Sequence, residues 1–243
     1  IVTYGLHNDA QFRAEIVTDR WPNRLALRIH HGQDTALVQT QLLPPYQASN
    51  VLAAVATACS LGVPLEQAAQ AISLHRPLLG RMSLHMSARG VAIVRDDWKA
   101  PYWSLFKAVQ YIADAQAARK VIVIGTISDG GNIRPLYRNP VVAALAAADY
   151  VLLVGPRAAA AAPRLADIGG DRLLAFELVQ DAARWLSDFA REGDLVLLKG
   201  SNRAEHLARM ALAMDNEVTC WRIHCPRKLL CDRCRLSGAP TIP

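Results

Sequence analysis

Hydrophobic and polar positions divide the chain into two rhythms. Up to about residue 43, RLALRIHH and TALVQTQLL alternate or run rich in β-formers, and Gly32, Gln33 and Asp34 between them suit a hairpin. PPYQASN then leads into NVLAAVATACSLGV. There Leu52, Val55, Ala56 and Cys59 recur at helical spacing, and Gly62 provides a C-terminal stop. A second short helix is predicted over PLEQAAQAISL. The Pro- and Gly-bearing HRPLLGRM that follows reads as a hinge between domains.

From Met82 onward, short apolar runs alternate with helical patterns. Strands are predicted at GVAIVRD, KVIVIG, YVLLVG and DLVLLKG. Helices are predicted at PYWSLFKAVQYIADA, around PVVAALAAA, over the Ala-rich AAAAAPRLADI, at VQDAARWLSDFAR and over NRAEHLARMALAM. EVTCWRI is a candidate last strand. Continuous apolar strands separated by helices point to a mostly parallel, doubly wound α/β sheet.

Composition narrows the class. Of 243 residues, 52% are hydrophobic and 20% charged, so a sizeable core can form and wholesale disorder is excluded. Lys+Arg 27 less Asp+Glu 21 leaves +6, enough to attract phosphates but a weak argument for nucleic acid. The most apolar stretch, Val141 to Gly155, contains Asp149 and falls short of the ~20 residues a bilayer requires. No secretory signal is visible, and a cytoplasmic location is expected. The chain opens on Ile1 rather than Met, which reads as a piece of a longer protein.

Ligands of doubly wound sheets collect at the carboxyl ends of the strands. Three such ends carry polar residues: Asp96-Asp97-Trp98-Lys99, Gly125-Thr126-Ile127-Ser128-Asp129-Gly130-Gly131, and Lys199-Gly200-Ser201-Asn202-Arg203. A carboxylate beside an ammonium can orient a ribose and a phosphate, and a Gly-Ser turn at a helix start offers N–H groups to an anion. The same residues can equally serve as helix caps. No GxxxxGK[ST] phosphate loop occurs, and the lack of GxGxxG counts against a dinucleotide oxidoreductase.

In order along the chain stand YGL, N-x-L-A-A-x-A, L-G-V-x-L-E, G-R-M, D-D-x-x-A-P, V-I-V-I-G and L-L-K-G-S. This series, over roughly residues 1 to 215, resembles the Mur ligase family, and most of all the branch that adds D-alanyl-D-alanine and related Mur-like amidotransferase partners. The resemblance implies an ATP-dependent ligase that joins an amino acid or amine to a carboxylate through an acyl phosphate, in cell-wall precursor or related biosynthesis. It also implies three domains in a complete enzyme. Residues 1–78 would be the end of the central ATPase domain, and residues 79–215 the Rossmann-like C-terminal domain. The P-loop, the magnesium-binding residues and a carbamylated lysine would lie upstream, so the fragment alone would be inactive.

Carried over position by position, the resemblance makes Asn50 an adenine contact and Arg81 the hinge arginine that reaches the nucleotide. Asp97 and Lys99 would face ATP, with Asp96 as the alternative carboxylate because D-D-W-K-A-P is one residue shorter than the family form. Lys199, Gly200, Ser201 and Asn202 would lie toward the incoming amino substrate. Read without the family, Asn50 is a helix cap, Arg81 a solvated linker residue, the Asp–Lys pair a surface ion pair, and K-G-S a strand-to-helix turn. Tyr46, Gln47 and the GTISDGG loop depart from the family's residues, which leaves the substrate's identity open.

The tail, residues 216–243, carries a separate signal. Cys220, Cys225, Cys231 and Cys234 form C-x4-C-x5-C-x2-C, suited to tetrahedral zinc, with His224 able to stand in for Cys225. Disulfides or free thiols are the other readings. Arg222, Arg227, Lys228, Arg233 and Arg235 against Asp232 make the tail basic. It is either a stabilising cap or, in a scaffold alternative to the ligase, a grip on a partner protein or nucleic acid. Cys59 is expected in the core, His30 and His31 show no metal spacing, and Trp98, Trp103, Trp185 and Trp221 read as packing.

Overall fold

The computed structural model describes residues 1–7, 9–129, 136–227 and 229–241. Two compact units are distinguished, Ile1–Leu78 and Leu79–Pro243. The division falls inside the Pro- and Gly-bearing stretch.

In the first unit, strands β1 (Tyr4–Gly5), β2 (Phe12–Thr18), β3 (Ala26–His31) and β4 (Asp34–Gln39) form one sheet in that order. β1 runs parallel to β2, and the other pairs are antiparallel. The β3–β4 turn holds only Gly32 and Gln33, and Gly32 takes φ +60, a left-handed value that favours glycine. Helices α1 (Ala48–Ser60) and α2 (Leu65–Leu74) cover the sheet. Phe12, Leu27, Ile29 and Val38 from the strands meet Val51, Leu52, Val55 and Leu65 from the helices in one core. Gly62, at φ +90, closes α1. Cys59 packs half-buried against this core.

In the second unit, six strands lie in the order β5-β6-β10-β7-β8-β9. They are β5 (Ser83–Met86), β6 (Ala92–Asp96), β7 (Lys120–Ile124), β8 (Tyr150–Val154), β9 (Leu173–Phe176) and β10 (Leu195–Lys199). Only β5 is antiparallel. β6 and β10 are buried along their whole length, as strands covered on both faces must be. Among the described residues the helices are α3 (Tyr102–Ala113), α4 (Arg138–Ala147), α5 (Pro156–Ala159), α6 (Ala166–Gly169), α7 (Val179–Phe189) and α8 (Ala208–Leu212). Ile93, Val121, Val123, Leu152, Val196 and Leu198 from the sheet pack with Ala182, Leu186 and Met210 from α7 and α8.

Three predicted elements come out differently. The Ala-rich segment is not one helix but α5, a 3-10 turn at Ala162–Arg164, and α6. Pro163 lacks an N–H and disfavours helical backbone at Ala162, so the run breaks there. The helix expected over NRAEHLARMALAM is confined to α8, because His206 adopts φ +53 and interrupts it. EVTCWRI forms no strand; instead Thr219 N donates to Ser237 O at 2.9 Å and ties the segment to the tail. β5 and β9, short edge strands, had no expectation. Trp103 is 66% exposed rather than packed, whereas Trp185 stacks on Phe189.

Candidate functional site

The parallel register brings the last residues of β6 and β10 side by side, so Asp96 and Lys199 are partners. Lys199 Nζ donates to Asp96 Oδ2 at 2.6 Å and to the Lys99 carbonyl at 3.4 Å. The ammonium is 1% exposed. Burial pushes the Asp96 carboxyl above its ordinary range and the Lys199 ammonium below its own, against the mutual attraction that opposes both shifts.

Asp97 turns the other way. It pairs with Arg95, whose Nη2 lies 3.1 Å from Asp97 Oδ2. The same guanidinium donates to both carboxylate oxygens of Asp232 in the tail. Arg95, Asp97 and Asp232 are all buried. Gly80 approaches this corner closely: a Cβ there would lie 3.1 Å from Asp97 Oδ1, and φ is +72.

A cleft of about 590 Å³ opens at these strand ends. Arg81, Trp98, Lys99, Ser201, Asn202 and Arg203 line it with Thr126 and Ser128. Arg81 and Lys99 are exposed at its mouth, and Asn202 is buried. Asn202 donates its amide N–H to Leu229 O at 3.3 Å, while its Oδ1 has no protein partner.

The GTISDGG loop shapes the same edge. Asp129 accepts from Tyr102 N at 2.7 Å and so caps α3. Gly130 and Gly131 lie outside the described residues. Thr126 donates through both its N–H and its hydroxyl to Glu205. Burial holds Glu205 above the usual carboxylate range, with those hydrogen bonds pulling the other way. Glu205 fills the space beside Gly125 and Gly155, where a Cβ would strike its side chain. A second cavity of about 270 Å³ lies beyond, with Arg157, Glu177, Glu205 and Arg209 among its walls and Trp221 to His224 of the tail closing it.

Asn50 sits in the first turn of α1, exposed, with its amide 2.6 Å from Gln47 Oε1. It belongs to the first unit; the other residues expected to bind nucleotide, substrate or metal belong to the second.

The four tail cysteines line one small cavity together with His206 and Arg209. Cys231 Sγ lies 3.5 Å from His206 Nδ1. Burial pushes the Cys231 thiol up to about 12. Among the described residues no three His, Cys, Asp or Glu side chains stand in ready-made metal-holding geometry.

The model of the Mur ligase, glutamate ligase domain matches residues 80–202, just over half of the chain. The chain belongs to the Mur ligase family. Over 122 residues it is 34% identical to the UDP-N-acetylmuramoyl-L-alanyl-D-glutamate--2,6-diaminopimelate ligase of Acidovorax sp. (strain JS42), covering 50% of this chain and 24% of that protein. Over 176 residues it is 31% identical to the UDP-N-acetylmuramoyl-tripeptide--D-alanyl-D-alanine ligase of Treponema pallidum (strain Nichols), covering 71% and 38%. Among solved structures, MurF from Acinetobacter baumannii superposes with a TM-score of 0.74 at 24% identity, covering 88% of this chain and 47% of that one. MurF from Thermotoga maritima, solved in complex with ADP, gives 0.65 at 17% identity, covering 88% and 47%. These two likenesses show the fold. The chain therefore spans less than half the length of each of these relatives.

Arg81, Lys99, Ser201, Asn202 and Arg203 of the cleft stand in motifs legible along the chain, whereas Glu205, Arg95 and His206, which lie behind it, do not. The Gly125 and Gly155 positions after two strands were the available signal for Glu205. Nothing local points to Arg95 and Asp232, which are 137 residues apart. Among the described residues, no helix is long and apolar enough to cross a membrane.

Proposed function

We propose that this chain is part of a cytoplasmic ATP-dependent ligase that joins an amino acid or amine to a carboxylate through an acyl phosphate, in cell-wall precursor or related biosynthesis. Residues 1–78 would be the end of the central domain, residues 79–215 the C-terminal domain, and residues 216–243 a tail holding zinc on its cysteines. The observation that carries the ligase reading is the strand-end cleft, lined by the exposed cations Arg81, Lys99 and Arg203. Three exposed cations suit a polyphosphate.

Bound ATP would supply the phosphoryl group that activates the carboxylate, with magnesium held mainly by residues upstream of this chain. Arg81 and Lys99 would orient the phosphates, and positioning of this kind accounts for most of the catalysis in phosphoryl transfer. Asn50 would contact the adenine. Asp96 and Lys199 neutralise each other, so they act as a fixed, paired wall rather than as free ligands. Through that pair Lys199, with Gly200, Ser201 and Asn202, would shape the side that receives the amine.

The test is phosphate release from ATP by the complete protein, with candidate carboxylate and amino substrates present. Release that depends on both substrates supports the reading, and its absence across a broad panel of amino acids and dipeptides overturns it. Product formation by residues 1–243 alone would contradict the placing of the P-loop upstream.

A further inference from the structure

Zinc in protein sites takes four donors, with Zn–N of ~2.0–2.1 Å and Zn–S of ~2.3 Å. At a tetrahedral angle those lengths separate a nitrogen and a sulfur ligand by roughly 3.5 Å. His206 Nδ1 and Cys231 Sγ are 3.5 Å apart. They already have the spacing of two adjacent corners.

His206 is otherwise poorly used. Its side chain is buried, with the residue 2% exposed. Its Nε2 has no hydrogen-bond partner, and Nδ1 faces only a sulfur. The residue also sits at φ +53, a conformation that non-glycine residues adopt at a cost and keep where the surroundings impose it. That conformation ends the approach to α8 and leaves the imidazole lining the cysteine cavity. A buried imidazole, held at positive φ with its Nδ1 turned to a thiol in a cavity lined by four cysteines, is what a soft divalent metal would explain.

We infer that His206 is a ligand of the tail's metal site, occupying one corner beside Cys231, with two of Cys220, Cys225 and Cys234 completing a Cys3His set. The inference rests on the reading of the tail as a zinc site and changes its composition. The sequence offered His224 as the substitute histidine, but His224 lines the neighbouring cavity with Arg157 and Glu177 instead. The metal would then join the tail to the turn between β10 and α8, beside Glu205. Binding displaces the protons of the coordinating thiols to solvent, and no oxidant or reductant is required.

The experiment uses the purified chain, reduced, with zinc content measured directly and cobalt(II) as the spectroscopic probe. One equivalent of zinc, and a cobalt spectrum whose sulfur charge-transfer intensity corresponds to three thiolates, are expected. His206→Ala should weaken zinc binding roughly tenfold or more, and His206→Cys should restore it with a fourth thiolate's intensity. A wild-type spectrum with four thiolates, or unchanged affinity in His206→Ala, overturns the role of His206 while leaving a four-cysteine zinc site standing. Wild-type chain that takes up neither metal overturns the zinc reading itself. The wild-type thiolate count requires no variant, so a misfolded substitution does not blunt the test.

Discussion

Lys199, the last residue of β10, donates to the Asp96 carboxylate at the end of β6 over 2.6 Å, with the ammonium shut away from water. The parallel register makes this pairing unavoidable, since the two residues are direct partners across the ladder. Two charges that titrate against each other in a buried place set the edge on which the cleft is built.

Removing one partner should be far worse than removing both. Asp96→Asn leaves an uncompensated buried ammonium and is expected to cost about 3–5 kcal/mol. The double variant Asp96→Asn with Lys199→Met should recover most of that loss. Urea unfolding of the wild type, both singles and the double closes the cycle. A double variant whose loss equals the sum of the two single losses would show that the pair is not coupled.

The pair also shapes stability against pH. Asp96 is raised in the folded chain, which then binds more protons than the unfolded one, so stability falls as pH climbs above the ordinary Asp value of about 3.9 toward the raised one. Lys199 is lowered, so the folded chain binds fewer protons, and stability rises as pH climbs from the lowered value toward about 10.4. The neutral double variant should lose both slopes. Unfolding midpoints across the pH range, compared with wild type, read the difference.

Asp232 satisfies Arg95 from the far end of the chain. Asp232→Ala leaves the buried guanidinium with Asp97 alone and is expected to destabilise the second unit by about 3–5 kcal/mol. The tail should become a site of early proteolytic cleavage, because its buried anchor is gone. A digestion pattern like that of wild type would contradict the anchoring role.

Gly155 precedes α5 at φ +94, and any Cβ there meets the Glu205 side chain. Gly155→Ala combines backbone strain with displacement of Glu205 from Thr126, and a loss of about 1–3 kcal/mol is expected. Combining it with Glu205→Gly should relieve the steric part. Thermal melts of the two variants test this.

Arg81 is exposed, so its truncation should leave the fold intact. In the complete protein, Arg81→Ala is expected to raise KM for ATP roughly tenfold, the loss of one charge-assisted contact. An unchanged KM would remove Arg81 from the nucleotide's surroundings.

The sequence by itself determined the layered α/β organisation, the strands buried on both faces, the stop of α1 at Gly62 and the family to which the chain belongs. These are properties of local pattern: apolar runs, helical spacing, glycine at positive φ, and short motifs in a fixed order. Only the tertiary structure decided how the charges are spent. Arg95 and Asp96, adjacent in β6, point to opposite faces, so Asp96 takes Lys199 while Arg95 takes Asp97, just past the strand, and Asp232. The choice of His206 over His224 beside the thiols, and the break in the Ala-rich run, likewise depend on where distant segments come to rest. Periodicity says which face a residue is on, but not which partner from far along the chain arrives there to meet it.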